Sequence, residues 1–154
     1  TLHMAPLPTI AHQRIASRLL IVLGAYLADN PLGEVFTSNT KVVLDERTCI
    51  GPDLVFLARE RFGLLRHDGI HGPPDLVVEI LSSKPDLDRV VKFAKCQQAG
   101  VAHYWLLDPE ARTAETFELR EGAYAMVARI GSGDRLETAL FPGLIIESDH
   151  LWRP

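Results

Sequence analysis

The sequence of 154 residues is 47% hydrophobic and 23% charged, with a formal charge of −4 and a pI of about 5.8. This is the size and composition of one globular domain rather than of a disordered chain. The acidic balance shows no bulk electrostatic footprint and argues against passive nucleic-acid binding, but it does not exclude an enzyme acting on phosphodiesters whose carboxylates hold divalent ions.

The first predicted element is a helix from Ile10 to Ala28, with Ile15, Leu19 and Val22 at helical spacing, His12 and Arg18 on its polar side, and Asp29-Asn30-Pro31 ending it. Glu34 to Phe36 and Lys41 to Leu44 read as short strands around Thr37-Ser38-Asn39. Gly51-Pro52-Asp53 then opens a buried strand, Leu54 to Leu57. Arg59 to Gly72, with three glycines, reads as an irregular connection holding one helical turn. After Pro73-Pro74 comes the strongest strand, Asp75 to Leu81, and then a helix from Pro85 to Ala99 whose apolar face is Leu87, Val90 and Ala94 and whose stop is Gly100. Tyr104 to Leu107 is a further strand closed by Asp108-Pro109, Thr113 to Leu119 and Tyr124 to Ala128 form a hairpin around Glu121-Gly122, and Phe141 to Ile146 is a late apolar segment. Together they predict an α/β chain with a central mixed β-sheet flanked by helices, folded as one domain over residues 1–154.

The longest apolar runs, such as Leu19 to Leu23, fall far short of the roughly 18–20 residues that cross a bilayer. No basic segment leads into an apolar run with a cleavage site, so a cytoplasmic protein with no membrane partner is expected. Cys49 and Cys96 form no CxxC pair and are expected as core or near-core thiols. Phosphate-loop and dinucleotide-binding glycine patterns do not occur in the sequence, so no nucleotide cofactor is expected.

Strand alternation puts Asp75, Val77, Glu79 and Leu81 on one face and Leu76, Val78 and Ile80 on the other. Glu79 is therefore a carboxylate inside an apolar strand, where burial is costly without a cation, a metal or several donors. A structural ion pair would satisfy it. Asp53 is the second unusual acid. If its strand pairs with that of Glu79, the two can share one divalent ion, and hard oxygen ligands select Mg2+ or Mn2+ over zinc. Asp88 and Lys92, four residues apart, share a helix face opposite Leu87 and Ala94. They form either a solvated ion pair or, with Lys92 folded back over the strand end, the cation of a site that orients water and stabilises charge on a phosphodiester oxygen.

Three segments in this order, GPDLVFLA at 51–58, PPDLVVEILSS at 73–83 and DRVVKFAKCQQAGVAHYWLLDP at 88–109, resemble the restriction endonucleases of the Uma2 type within the PD-(D/E)xK nuclease superfamily. The helix with His12 and the GEVF segment at 33–36 are similar too, so the likeness covers nearly the whole chain. It implies a restriction endonuclease-like core and magnesium-assisted cleavage of DNA. It further implies Asp53 and Glu79 as catalytic acids and metal ligands, and Asp75 as a supporting or alternative ligand. The residue two after Glu79 is Leu81, where the parent pattern has lysine; in the Uma2-like branch a lysine on the following helix replaces it, here Lys92. Cys96 stands where that family often has tyrosine.

His12 is expected in a structural or surface role, although it lies on a helix that could approach the site. His67 and His71 lack zinc-site spacing, Tyr104 and Trp105 read as sheet core, and Asp108 as a turn residue. A homodimer is expected, since two copies related by a two-fold axis can engage both strands of a duplex. The competing functions are a catalytically silent domain of the same fold that binds protein or nucleic acid, and a hydrolase using the same metal site on a substrate that is not nucleic acid.

Overall fold

The computed structural model describes residues 7–82 and 87–154. Its frame follows from alternation in three apolar runs. Leu54 and Phe56, Leu76, Val78 and Ile80, and Trp105 and Leu107 all point into one core, while Val55 and Leu57, Val77 and Tyr104 point into another. A sheet buried on both faces needs cover on both faces. Helix α1 (Ile10–Asp29) supplies the first layer through Ile15, Leu19, Leu23 and Leu27.

The strands in chain order are β1 (Gly33–Thr37), β2 (Val42–Asp45), β3 (Thr48–Ile50) and β4 (Leu54–Ala58). A 3-10 helix at Arg59–Leu64 follows, then β5 (Leu65–Arg66), β6 (Gly69–His71) and β7 (Leu76–Ile80). Helix α2 (Leu87–Ala99) crosses to β8 (His103–Asp108), and β9 (Thr113–Arg120) and β10 (Ala123–Ile130) close the main sheet. Last come β11 (Arg135–Leu136), β12 (Ile146–Glu147) and α3 (Ser148–Trp152). The main sheet has six strands in the order β1-β4-β7-β8-β9-β10. Within this sheet, among the described residues, only β7 and β8 pair in parallel. A parallel pair requires a crossover, and α2 is that crossover. The second core lies between the main sheet, α2 and a four-stranded sheet ordered β3-β2-β6-β5.

Two turns show why particular residues stand where they do. Glu121 and Gly122, with φ of 51° and 80°, form the left-handed turn that suits a tight hairpin between β9 and β10. Gly100, at φ 88°, ends α2, and the N–H groups of Gly100 and Val101 both reach the Cys96 carbonyl.

The mixed sheet and its flanking helices match the expectation; several details do not. Residues 59–72 are not simply irregular, because β6 pairs in parallel with β2 (Val42 with Ile70) and antiparallel with β5. The strands on either side of residues 37–39 belong to different sheets. Cys49 is exposed; Cys96 alone is a core thiol. On α2 the inward residues are Lys92, Phe93 and Cys96, whereas Val90 and Ala94 face solvent, so the expected apolar face was rotated. The expected helix start at Pro85 lies outside the described residues. None of the described helices is long and apolar enough to cross a membrane.

Candidate active site

Register brings the two acids together. Leu54 pairs with Val78 and Val55 with Val77 in the antiparallel β4–β7 ladder. Continuing it by one step sets Asp53 opposite Glu79, and residues directly opposite in such a ladder share a face. The Asp53 carboxylate is fixed there by two donors. Its Oδ2 accepts the Ile80 N–H at 2.8 Å, and its Oδ1 lies 3.2 Å from Nε2 of His12. His12 is held in the first turn of α1, where its own N–H donates to the capping Thr9 hydroxyl at 3.1 Å.

Helix α2 brings the cation. Nζ of Lys92 stands 3.4 Å from Glu79 Oε1, with both side chains largely buried at 21% and 10% exposure. The ammonium is close enough for ionic attraction, and Oε1 of Glu79 is buried with no hydrogen bond of good geometry among the described residues. Lys92 therefore sits on the inward side of α2 rather than on a solvated one, which removes the basis for reading it only as a surface partner of Asp88; the Asp88 side chain itself lies outside the described residues.

The electrostatics divide the pair. Burial pushes the Glu79 carboxyl up to about 8, Lys92 opposes the rise, and the neighbouring Asp53 charge adds to it. Asp53 is also penalised by burial, but hydrogen bonds from His12 and the Ile80 N–H outweigh that and hold it below the ordinary aspartate range. At neutral pH the pair thus keeps one proton, on Glu79, because two adjacent buried carboxylates resist ionising together. His12 is raised, chiefly by its hydrogen bond to Asp53 and against the effect of burial. Both of its ring nitrogens face acceptors, since Nδ1 lies 3.0 Å from Oε1 of Gln13. The Glu79 charge also helps burial push the Cys96 thiol up to about 12, which marks Cys96 as an inert packing residue.

Asp75 is not part of this group. It precedes the opposite end of β7, about 13 Å from Glu79 at the usual strand rise. Its Oδ2 accepts the Ala58 N–H at 2.6 Å and faces Nε of Arg61 at 3.7 Å. The structure therefore does not bring Asp75, expected as a supporting or alternative ligand, to the Asp53–Glu79 pair. Of the expected site residues, then, Asp53, Glu79 and Lys92 come together and Asp75 does not. His12, expected in a structural or surface role, joins them. A sequence signal for it existed: residues 12, 15, 19, 23 and 27 form one buried stripe of α1, and His12 is the polar member. His71 pairs instead with Asp68 at 2.7 Å. Tyr104 and Trp105 are buried in opposite cores, and Oδ1 of Asp108 accepts the N–H groups of Glu110 and Ala111 in a turn.

The donor set fits a magnesium-type ion better than a zinc cage. Among the described residues no group of three or more His, Cys, Asp or Glu side chains converges to hold a metal. Two adjacent carboxylates do converge, and one of their oxygens is buried without a hydrogen-bond partner. Magnesium is commonly held in this way, by one or two carboxylates with water and substrate phosphate oxygens completing the shell.

Comparison with known proteins bears on the fold and the family. No curated protein matches the sequence. The fold is similar to the crystal structure of a "putative nuclease belonging to DUF820" from Anabaena variabilis ATCC 29413, with a TM-score of 0.76 at 18% identity over 99% of this chain and 86% of that one. It is also similar to part of the type IIG restriction endonuclease BpuSI, with a TM-score of 0.51 and 14% identity over 98% of this chain and only 17% of that larger protein. The family model Uma2, described as "Putative restriction endonuclease", matches residues 1–148. The chain belongs to the Uma2 family.

Proposed function

We propose that the protein is a metal-dependent endonuclease that hydrolyses DNA phosphodiester bonds, with Asp53 and Glu79 holding Mg2+ or Mn2+ and Lys92 stabilising charge. The observation that carries this reading is the buried carboxylate of Glu79 set opposite Asp53 with Lys92 at 3.4 Å, since a site of this kind is poorly suited to stability alone. A divalent ion bound there supplies charge neutralisation and water activation at the phosphodiester.

The chain's own groups have separable tasks. Asp53 is the permanently ionised acid, oriented by the Ile80 N–H and by His12. Glu79 holds a proton in the metal-free protein and must lose it to become a ligand, so cation binding releases a proton. Lys92 places positive charge where it can meet negative charge developing on a phosphoryl oxygen. His12 is a positioning residue, acting through Asp53 as outer partners of metal ligands do. The acting species is taken to be a homodimer that presents two such sites to the two strands. Light scattering at micromolar concentration, with and without metal, should give the dimer mass, and a monomer mass in both would count against it.

The direct test is cleavage of plasmid and linear DNA in Mg2+ or Mn2+, compared with Asp53→Asn. Metal-dependent cleavage that the variant loses supports the proposal. A protein that binds the ion yet cleaves neither DNA would instead be the silent domain or a hydrolase of another substrate.

A further inference from the structure

Beside the carboxylate pair lies a cleft of about 510 Å³ between the β2–β3 turn and the flank of α2 that runs from inward Lys92 to exposed Val91 and Lys95. Arg47, Thr48 and Gly51 form one wall; Val91, Lys92 and Lys95 form the other. We propose that this cleft is a subsite for the sugar–phosphate backbone of the DNA strand being cut, with Arg47 and Lys95 as its phosphate-binding cations. The proposal rests on the nuclease reading above and adds the path of the substrate.

Three observations carry it. The first is the sign of the lining: among the described residues three are cationic and none is acidic, in a chain with 20 acids against 16 Lys and Arg. Positive charge gathered in a concavity of an otherwise acidic protein selects a polyanion locally where the net charge does not. The second is continuity with the site. Lys92 belongs both to the cleft and to the contact with Glu79, and Gly51 stands two residues before Asp53. A strand with one phosphate at the carboxylate pair therefore has its neighbouring phosphates in this cleft. The third is local construction. Lys92 and Lys95, three residues apart, lie on one flank of α2. Opposite them the Asp45 carboxylate accepts the Arg47 N–H at 2.8 Å and so pins the turn that carries Arg47. The backbone N–H groups of Arg47 and Thr48 already engage the Asp45 carboxylate and hold it below its ordinary value, and the Lys95 charge helps. A Cβ at Gly51 would meet nothing within 4 Å, so that wall is open to a ligand. An arginine fork and a lysine ammonium are suited to phosphate oxygens.

The test uses the full chain in a Glu79→Gln background, which separates binding from cleavage, and a short labelled DNA duplex titrated at several salt concentrations. Arg47→Gln with Lys95→Gln should weaken binding at low salt by at least about tenfold. It should also reduce the slope of log affinity against log salt by about 2, since each phosphate contact contributes roughly 0.9. Arg120→Gln with Arg135→Gln removes the same charge from residues paired with Glu118 and Glu147, outside the cleft, and should change neither quantity. Unchanged affinity and slope in the Arg47/Lys95 variant overturn the subsite, and if the wild type still cleaves DNA the nuclease reading survives that failure. Binding lost in the variant while the wild type never cleaves in Mg2+ or Mn2+ keeps the subsite and removes the nuclease. A background protein that binds no duplex at any salt overturns the subsite. Thermal melting of each variant checks that these exposed substitutions leave the fold intact.

Discussion

Strand β7 and the residue before it carry two acids, and the two ends of that strand treat their acids in opposite ways. Asp75 accepts the Ala58 N–H at 2.6 Å and has the Arg61 guanidinium as an ionic neighbour at 3.7 Å. Glu79, almost as far along the strand as it can be placed, is buried with one oxygen lacking a hydrogen-bond partner, and is pushed up to about 8. The first is a brace between β7 and the chain after β4. The second is kept in a state a fold would not choose for its own stability, and that is the condition in which a buried acid becomes available to an incoming cation. Satisfaction of hydrogen bonds, more than burial, separates the structural acid from the candidate ligand.

The largest effect that would sharpen this contrast is on cleavage. Asp53→Asn or Glu79→Gln should lower the single-turnover rate by about a thousandfold, roughly 4 kcal/mol of barrier, while Asp75→Ala keeps a rate within a few-fold of wild type. Equal losses from both ends of the strand would erase the distinction. Next in size is the cost of the brace: Asp75→Ala leaves the Ala58 N–H without its carboxylate and should destabilise the fold by about 2 kcal/mol in urea unfolding. A stability unchanged by this substitution would mean the Asp75 contacts contribute nothing.

Lys92→Met preserves the stem and deletes the charge, and should reduce single-turnover cleavage at least about tenfold, roughly 1.4 kcal/mol, with metal affinity little changed. A wild-type rate would remove Lys92 from the chemistry and return it to packing. The smallest effect is on pH-dependent stability without metal. The Glu79 carboxyl is raised in the folded state from 4.5 to about 8, so the folded chain holds a proton the unfolded chain has released. Its stabilising contribution is complete below about pH 4.5 and is lost as pH climbs through about 8, with a slope of up to about 1.4 kcal/mol per unit from this group. Glu79→Gln should flatten that decline in melts between pH 5 and 8. A decline of the same slope in the variant would assign it to another group.

Much of this arrangement was legible in the chain because it depends on strand alternation. Two-residue periodicity in 75–81 fixes which face Glu79 shares with Val77, and the apolar run after Asp53 marks the neighbouring strand. Helix α2 was less legible. Its buried face holds Phe93 and Cys96 beside the stem of Lys92, while Val90 and Val91 are 61% and 51% exposed, so apolar residues alone give the wrong rotation. Strands β5 and β6 were hidden for a different reason: Gly69 and His71 have little strand preference, and β6 exists because Ile70 packs into the second core and pairs with Val42 far back in the chain. The cleft depends on the same long-range placement, since the β2–β3 turn meets α2 only after the second sheet has formed. His12, read from the sequence as part of the polar side of α1, instead belongs to its buried stripe, and its partner Asp53 could be found only in the folded chain.

The central claim is that Asp53 and Glu79 are the cation ligands and Asp75 is not. Calorimetric titration of Mn2+ into the wild type, Glu79→Gln and Asp75→Asn at pH 7 tests it most directly, with a repeat in buffers of different ionisation enthalpy to count protons. The wild type should bind and release a proton, Asp75→Asn should bind alike, and Glu79→Gln should bind at least about tenfold more weakly without proton release. Wild-type affinity in Glu79→Gln, or its loss in Asp75→Asn with the fold intact, would contradict the account.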